Sequence, residues 1–322
     1  MSTKEFDPKT LELLGLLQEK YESVGEDVNM LLEGILFSDF TNYWDYVGID
    51  ALLNLQKPIT KYPDEMIFII YHQVTELYFK IILHEIEQIG FDENISGEKI
   101  KKHLKRINTY FTQLVQSFHV LVSGMEPQQF MQFRKALTPA SGFQSIQYRL
   151  IEVWATDFIN LVSKDHRHEL GDYPSIEEMY EHIYWKEGAT DKITGKKTLT
   201  LVQFETKYSK LIVRKGHELV NRNLRSRFNV ISLDEQKDEE LISEMKQFDV
   251  HANINWPLAH YKYAASYLKR GEKIEKSTGG TNWQQYLPPK FQKQIFFPDL
   301  WNDEELEHWG KNWVENTFLE KA

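Results

Sequence analysis

Residues 63–89, PDEMIFIIYHQVTELYFKIILHEIEQI, carry apolar side chains at the three-and-four spacing of a helix almost without interruption. Pro63 suits a first helical position, and Asp64 and Glu65 suit the positive end of the helix dipole. A helix of about 26 residues at the standard rise is about 39 Å long. Such a rod crosses a whole domain, so the remaining elements must pack along it. Phe68, His72, Thr75, Glu76 and Phe79 share one of its faces. An imidazole on that apolar face is either a hydrogen-bonded core residue or a functional group, and this helix alone does not decide between them.

Helical patterning dominates elsewhere, and no run of alternating strands stands between turn signals. The expected fold class is all-α: one helical-bundle domain over 1–322, with a leader and helix in 1–40 and a small helical insertion at about 165–197. Helices are expected over 10–21, 97–123, 128–137, 199–224, 238–248 and 256–270, with Pro257 tolerated in the first turn of the last. Ser141 and Gln144 have the spacing of a capping box opening a helix with Ile146, Leu150, Ile151, Trp154 and Phe158 on its apolar side. Ser175 and Glu178 repeat that spacing for a short helix. The segment 37–55 is aromatic and irregular, and the Trp-rich tail 299–318 is expected to dock.

The chain has no cysteine, which excludes disulfides, thiolate ligands and a cysteine nucleophile and leaves histidine as the natural ligand for a metal or haem. A formal charge of −10 argues against nucleic acid as a partner, since such proteins present a basic surface to phosphates. The one basic cluster, Lys101, Lys102, His103, Lys105 and Arg106, reads as a solvated helical face. Met66 to Tyr71 is too short an apolar run to cross a bilayer, and the polar start lacks the order of a secretory signal. We therefore expect a cytoplasmic protein with no membrane partner.

Among eleven histidines there is no HExxH, and the close pair His166 and His168 sits in a polar loop that suits solvent better than metal. His260 is followed one turn later by Ala264, and small neighbours leave room for a flat cofactor; a core histidine is the competing reading. Thr278-Gly279-Gly280 lets backbone approach a ligand and offers a hydroxyl, or is simply a turn. Arg134 stands among Phe130, Phe133 and Leu137, where a guanidinium either grips a carboxylate ligand bidentately or makes an internal ion pair.

Taken together, these segments resemble the tryptophan 2,3-dioxygenase family. The residues that carry the likeness are Tyr43 to Leu53, Asp64-Glu65-Met66, His72-Gln73, Glu76-Leu77, Leu83-His84-Glu85, Phe133-Arg134, Ser141 to Ser145, Gln147-Tyr148-Arg149, His260 and Thr278-Gly279-Gly280, in that order. The resemblance implies an all-helical homotetramer, a dimer of dimers, that carries haem b. It implies a reaction in which dioxygen opens the indole 2,3-bond of L-tryptophan to give N-formylkynurenine. By position, His260 is then the proximal iron ligand and His72 the catalytic distal residue that hydrogen-bonds the indole N–H. Phe68, Tyr43, Tyr46, Val47 and Leu137 would wall the indole, with the Tyr43 segment supplied by a neighbouring subunit. Arg134 would take the substrate carboxylate and Thr278 its ammonium, while Ser141 and Gly142 would lie beside the haem. Phe130 stands where the family commonly has a tyrosine, so a hydroxyl near the carboxylate is missing, and the 260–278 segment is longer than usual. The alternatives that the likeness leaves open are a haem-dependent monooxygenase acting on tyrosine or a modified tryptophan, and a non-catalytic haem or tryptophan sensor.

Overall fold

In the computed structural model, residues 6–137, 142–191, 194–270, 273–274 and 293–310 are described. The chain divides into a unit ending at Leu55 and a second beginning at Gln56. In the first, Asp7 caps α1 (Pro8–Glu22) through Lys9 N and Thr10 N, and α1 packs against α2 (Val28–Phe37). Two short helices follow, α3 (Tyr43–Val47) and α4 (Ile49–Leu53). Gly48 joins them at φ +68°, a left-handed conformation that glycine adopts without the Cβ penalty. None of these helices has a buried residue.

The second unit is built along the expected rod. α5 (Asp64–Phe91) and α6 (Gly97–Gly124) pack side by side, and α8 (Ile146–Ala155) lies against α5. Between α6 and α8, α7 (Pro127–Phe133) runs into a 3₁₀ turn, Arg134–Leu137. α9 (Ile176–Glu181) and α10 (Tyr184–Glu187) precede α11 (Leu199–Glu218) and α12 (Leu224–Val230). α13 (Glu239–Val250) and α14 (Trp256–Leu268) both pack on α6, and α15 (Asp303–Glu307) closes the described chain. The only strands among the described residues are Lys269–Arg270 and Lys273–Ile274, a two-residue antiparallel ladder, so the class is all-α.

By length and composition alone α5 could cross a bilayer. Here it serves as a bundle core, burying Phe79, Ile82, Leu83, Ile86 and Ile89 with Ile100, Leu104, Ile107 and Phe111 of α6. Each such side chain contributes about 1.5–3 kcal/mol by leaving water. Gly90 lets this packing close. A Cβ there would stand 2.4 Å from Trp154 Cζ3 and 2.7 Å from the Arg222 carbonyl oxygen. Gly90→Ala should therefore destabilise the fold, because overpacking costs about 1–3 kcal/mol and outweighs the roughly 1 kcal/mol that alanine gains in helix propensity. A urea midpoint at or above wild type would contradict this packing.

The basic cluster is not a freely solvated face. Lys101 is buried and pairs with Glu98, Asp238 and Glu240, Lys105 pairs with Glu240, and His103 and Arg106 both reach Glu85. Apart from Glu98 of α6 itself, the acids come from α5 and from the start of α13, so Lys101, His103, Lys105 and Arg106 join helices even where their side chains stay partly exposed.

Several boundaries differ from expectation for local reasons. α8 starts at Ile146 because Ser145, not Ser141, caps it, its hydroxyl accepting the Tyr148 N–H at 3.3 Å. Gln144 sends its amide to the Thr200 carbonyl at 3.1 Å, and Phe158 lies on a 3₁₀ turn beyond the helix. The helix expected over 199–224 ends at Glu218, since Asn223 caps α12. Ser175 and Glu178 form the expected capping box. Trp301 and Trp309 pack on each other and on Ile254 and Leu258, while Trp313 and Phe318 lie outside the described residues. The helices expected at 238–248 and 256–270 are joined without a loop by a π-helical turn, His251–Asn255.

Candidate active site

The start of α5 is tied down before the site begins. The Glu65 carboxylate accepts Ile59 N at 2.8 Å, Thr60 N at 2.7 Å and the Thr60 hydroxyl, folding the preceding loop back on the helix. Asp64 accepts Glu126 N at 2.6 Å, which fixes α7 beside the same turn. One helical turn on, Phe68 meets Phe130 and Phe133 with ring centroids 6.1 and 5.6 Å apart. These rings, with Leu137, Ala259 and Tyr263, belong to an apolar cluster separate from the main core.

His72 sits at the edge of this cluster, its ring 4.1 Å from that of Phe68. Its Nδ1 lies 2.7 Å from the Phe68 carbonyl oxygen. A carbonyl only accepts, so Nδ1 carries the proton and Nε2 of the neutral ring is left as an acceptor. The ring keeps accessible surface, yet the protein around it desolvates it enough to hold its pKa below the ordinary histidine range, against the opposing pull of the Phe68 carbonyl and Glu76.

His260, on α14, is half buried. Burial first, and the neighbouring His72 second, push its pKa down to about 4, so the imidazole is neutral with a lone pair to offer. Phe118 of α6 lies behind it, stacked at 6.1 Å, and the same phenyl ring touches Trp256 and Tyr71. The Tyr71 hydroxyl is 3.0 Å from Ser117 Oγ, which joins α5 to α6 at this level. Gly142 approaches from the 3₁₀ turn Gly142–Gln144: a Cβ on it would stand 3.2 Å from His260 Cε1 and 3.8 Å from Nε2. A larger residue would press on the edge of the ring that could bind a metal.

Of the residues singled out by sequence, the fold thus gathers Phe68, His72, Phe130, Leu137, Gly142 and His260 in the second unit, and Arg134 is buried on the turn between Phe133 and Leu137. Tyr43, Tyr46 and Val47 belong to the N-terminal unit, where Tyr43 is 71% and Tyr46 84% exposed. Ser141 and Thr278 lie outside the described residues. His166 is not simply solvated, since it contacts Ser163 Oγ at 2.9 Å and Glu187 at 3.1 Å and stacks on His182. Phe118 was not foreseen; its place in the i, i+4, i+7 apolar row of α6 marks a core residue and gives no hint of what it packs against.

Among the described residues no group of three or more histidine and carboxylate side chains gathers as a cage for a bare ion. A single neutral imidazole facing an apolar wall instead fits iron delivered in a preassembled planar macrocycle.

The depressed histidines make a prediction for stability. His251, buried beside His260's helix, also has its pKa lowered to about 4 by burial. The unfolded chain takes up that proton near pH 6.5 and the folded one only near 4, so this group lowers stability as pH falls through that window. The stability difference between wild type and His251→Gln should fall by on the order of 2 kcal/mol from pH 7 to pH 4.5. A pH-independent difference in urea midpoints would refute the assignment.

Residues 35–167 match the family model described as tryptophan 2,3-dioxygenase. The chain is 27% identical over 302 residues to the tryptophan 2,3-dioxygenase of Bacillus thuringiensis subsp. konkukian (strain 97-27), covering 86% of this chain and 98% of that protein. It is 28% identical to the enzyme of that name from Bradyrhizobium diazoefficiens and 29% identical to that of Geobacillus thermodenitrificans, each covering 82% of this chain and 92% of the relative. The matched span contains Phe68, His72, Arg134 and Gly142 and ends before His260. With the all-helical fold, these findings make the chain similar to the tryptophan 2,3-dioxygenases over most of its length, with residues 35–167 matching that family's model.

Proposed function

We propose that this protein is a haem-dependent dioxygenase that opens the indole 2,3-bond of L-tryptophan to give N-formylkynurenine, both oxygen atoms entering the product and no external reductant being consumed. The observation that carries the reading is the pair of neutral imidazoles, His72 with its proton fixed on Nδ1 and His260 with an available lone pair, beside one apolar cluster. His260, whose imidazole is neutral, would hold the iron of haem b. The bound haem supplies the iron at which dioxygen reacts. His72 Nε2 accepts the indole N–H and fixes the ring's orientation. Phe68, Phe130 and Leu137 wall the indole and keep water out. Arg134 takes the carboxylate bidentately and Thr278 the ammonium, while Ser141 and Gly142 lie beside the haem.

The quaternary part of the proposal is a homotetramer, a dimer of dimers, in which Tyr43, Tyr46 and Val47 complete a neighbour's site. Two exposed apolar surfaces support self-association. Met66, Ile70, Val74, Leu77 and Ile81 form a partly exposed stripe on α5, and the N-terminal unit leaves Ile35, Leu36, Phe37 and Phe40 exposed. Apolar surface of this extent normally marks an interface. The reading places the enzyme in the cytoplasm.

The His72 assignment predicts a specific discrimination. Ferrous haem-loaded protein should bind L-tryptophan about five- to tenfold more tightly than 1-methyl-L-tryptophan, which lacks the N–H, because one buried hydrogen bond is worth about 1–1.5 kcal/mol. In His72→Ala the preference should shrink to within about twofold of unity. Undiminished discrimination in that variant would remove His72 from this role.

A further inference from the structure

The helix that carries His260 is continuous with α13 through the π-helical turn His251–Asn255, in which the Trp256 N–H reaches back to the His251 carbonyl. A π-turn inserts one residue, and one residue is about 100° of helix rotation. His260 is five positions past Asn255. Its direction, toward His72 and Gly142, is therefore set by whether this turn is kept.

The turn creates a problem at Ala252. In an α-helical register its carbonyl would accept from Trp256 N–H, but that donor is used by His251. In the π register it would accept from residue 257, which is a proline and has no N–H. Ala252 is fully buried, and a buried carbonyl without a donor costs on the scale of a lost hydrogen bond. The Tyr148 hydroxyl donates to this oxygen at 2.5 Å. Tyr148 is itself buried, its ring packed on Phe79 at 5.3 Å, and burial raises its pKa so that it stays a donor. The other side of the turn is clamped too. Asp249 accepts Asn253 Nδ2 at 2.7 Å, Phe296 N at 2.9 Å, Phe297 N at 3.1 Å and Trp301 Nε1 at 3.0 Å.

We propose that Tyr148 is a positioning residue for the iron ligand: its hydroxyl replaces the main-chain donor that Pro257 withholds from Ala252, and so holds the π-turn that aims His260. The inference rests on the reading of His260 as the haem ligand. Tyr148 touches neither substrate nor cofactor in this account; it acts through the helix.

The test uses the full-length, haem-loaded protein and reads the ferrous iron–histidine stretching band and the rate of haem transfer to apomyoglobin. Tyr148→Phe should speed transfer by about tenfold or more, in the range of other groups that orient a ligand, and should shift or broaden the band. Tyr180→Phe deletes a comparable hydroxyl contact, to Ser209 Oγ at 2.9 Å on α11, and should leave both readouts at wild type. In a Pro257→Ala background the main chain regains a donor, so adding Tyr148→Phe should change the transfer rate by less than about twofold. Equal behaviour of Tyr148→Phe and Tyr180→Phe, or a full tenfold effect whatever stands at 257, would overturn the proposal. If Tyr148→Phe alone does not fold, the Pro257→Ala double variant should; failure of both would also overturn it. A wild-type protein that holds haem without an iron–histidine band refutes the ligand reading itself, whereas a normal wild-type band unchanged in Tyr148→Phe refutes the positioning role alone.

Discussion

His260→Ala is expected to leave a folded protein that no longer retains haem through an axial imidazole. The side chain contributes the lone pair that its low pKa keeps available, and its ring stacks on Phe118. Losing it should weaken haem binding by more than about a hundredfold, the upper end of what changes to a ligand's supporting residues produce. Far-ultraviolet circular dichroism should remain helical, because the main core around Phe111, Leu104 and Ile86 is separate from the site. A variant that binds haem with a wild-type Soret spectrum and an iron–histidine band would refute the assignment.

Arg134→Leu should weaken L-tryptophan binding by about 3 kcal/mol or more, from the loss of about two charge-assisted hydrogen bonds of about 1.5–3 kcal/mol each. The effect should be selective for the carboxylate. Tryptamine, which has the indole and ammonium but no carboxylate, should lose less than about threefold, and haem content should not change. Equal losses for both ligands would instead mean that the buried Arg134 supports the fold around Phe130 and Phe133.

The long helix was legible in the sequence because a dense apolar period, an acidic first turn and Pro63 all indicated the same element, and α5 runs from Asp64 to Phe91 with Pro63 as its cap. α6 was legible for the same reason, ending within a residue of expectation at Gly124. The proximity of His72 and His260 was not derivable from spacing. Residue type favoured core roles for both, and it took the resemblance to pair them across nearly 190 residues of chain. The start of α14 at Trp256, with Pro257 in its first turn, was legible, but its continuity with α13 through a π-turn was not. A π-turn tolerates Pro257 inside a continuous helix provided another group serves the orphaned carbonyl, and that group, Tyr148, is more than 100 residues away. The local sign was present in the aromatic residue of Gln147-Tyr148-Arg149, but its partner was not. The cap of α8 was misplaced because the sequence offers serines at both 141 and 145, and the Ser145 hydroxyl is the one that accepts the Tyr148 N–H.

The product of one reaction tests the central claim most directly. Full-length protein, loaded with haem, reduced without oxygen, given L-tryptophan and then exposed to oxygen, should form N-formylkynurenine with both oxygen atoms derived from ¹⁸O₂. A singly oxygenated aromatic product would point to a monooxygenase, and no product from protein with intact ferrous haem would point to a sensor; either result would contradict the dioxygenase reading.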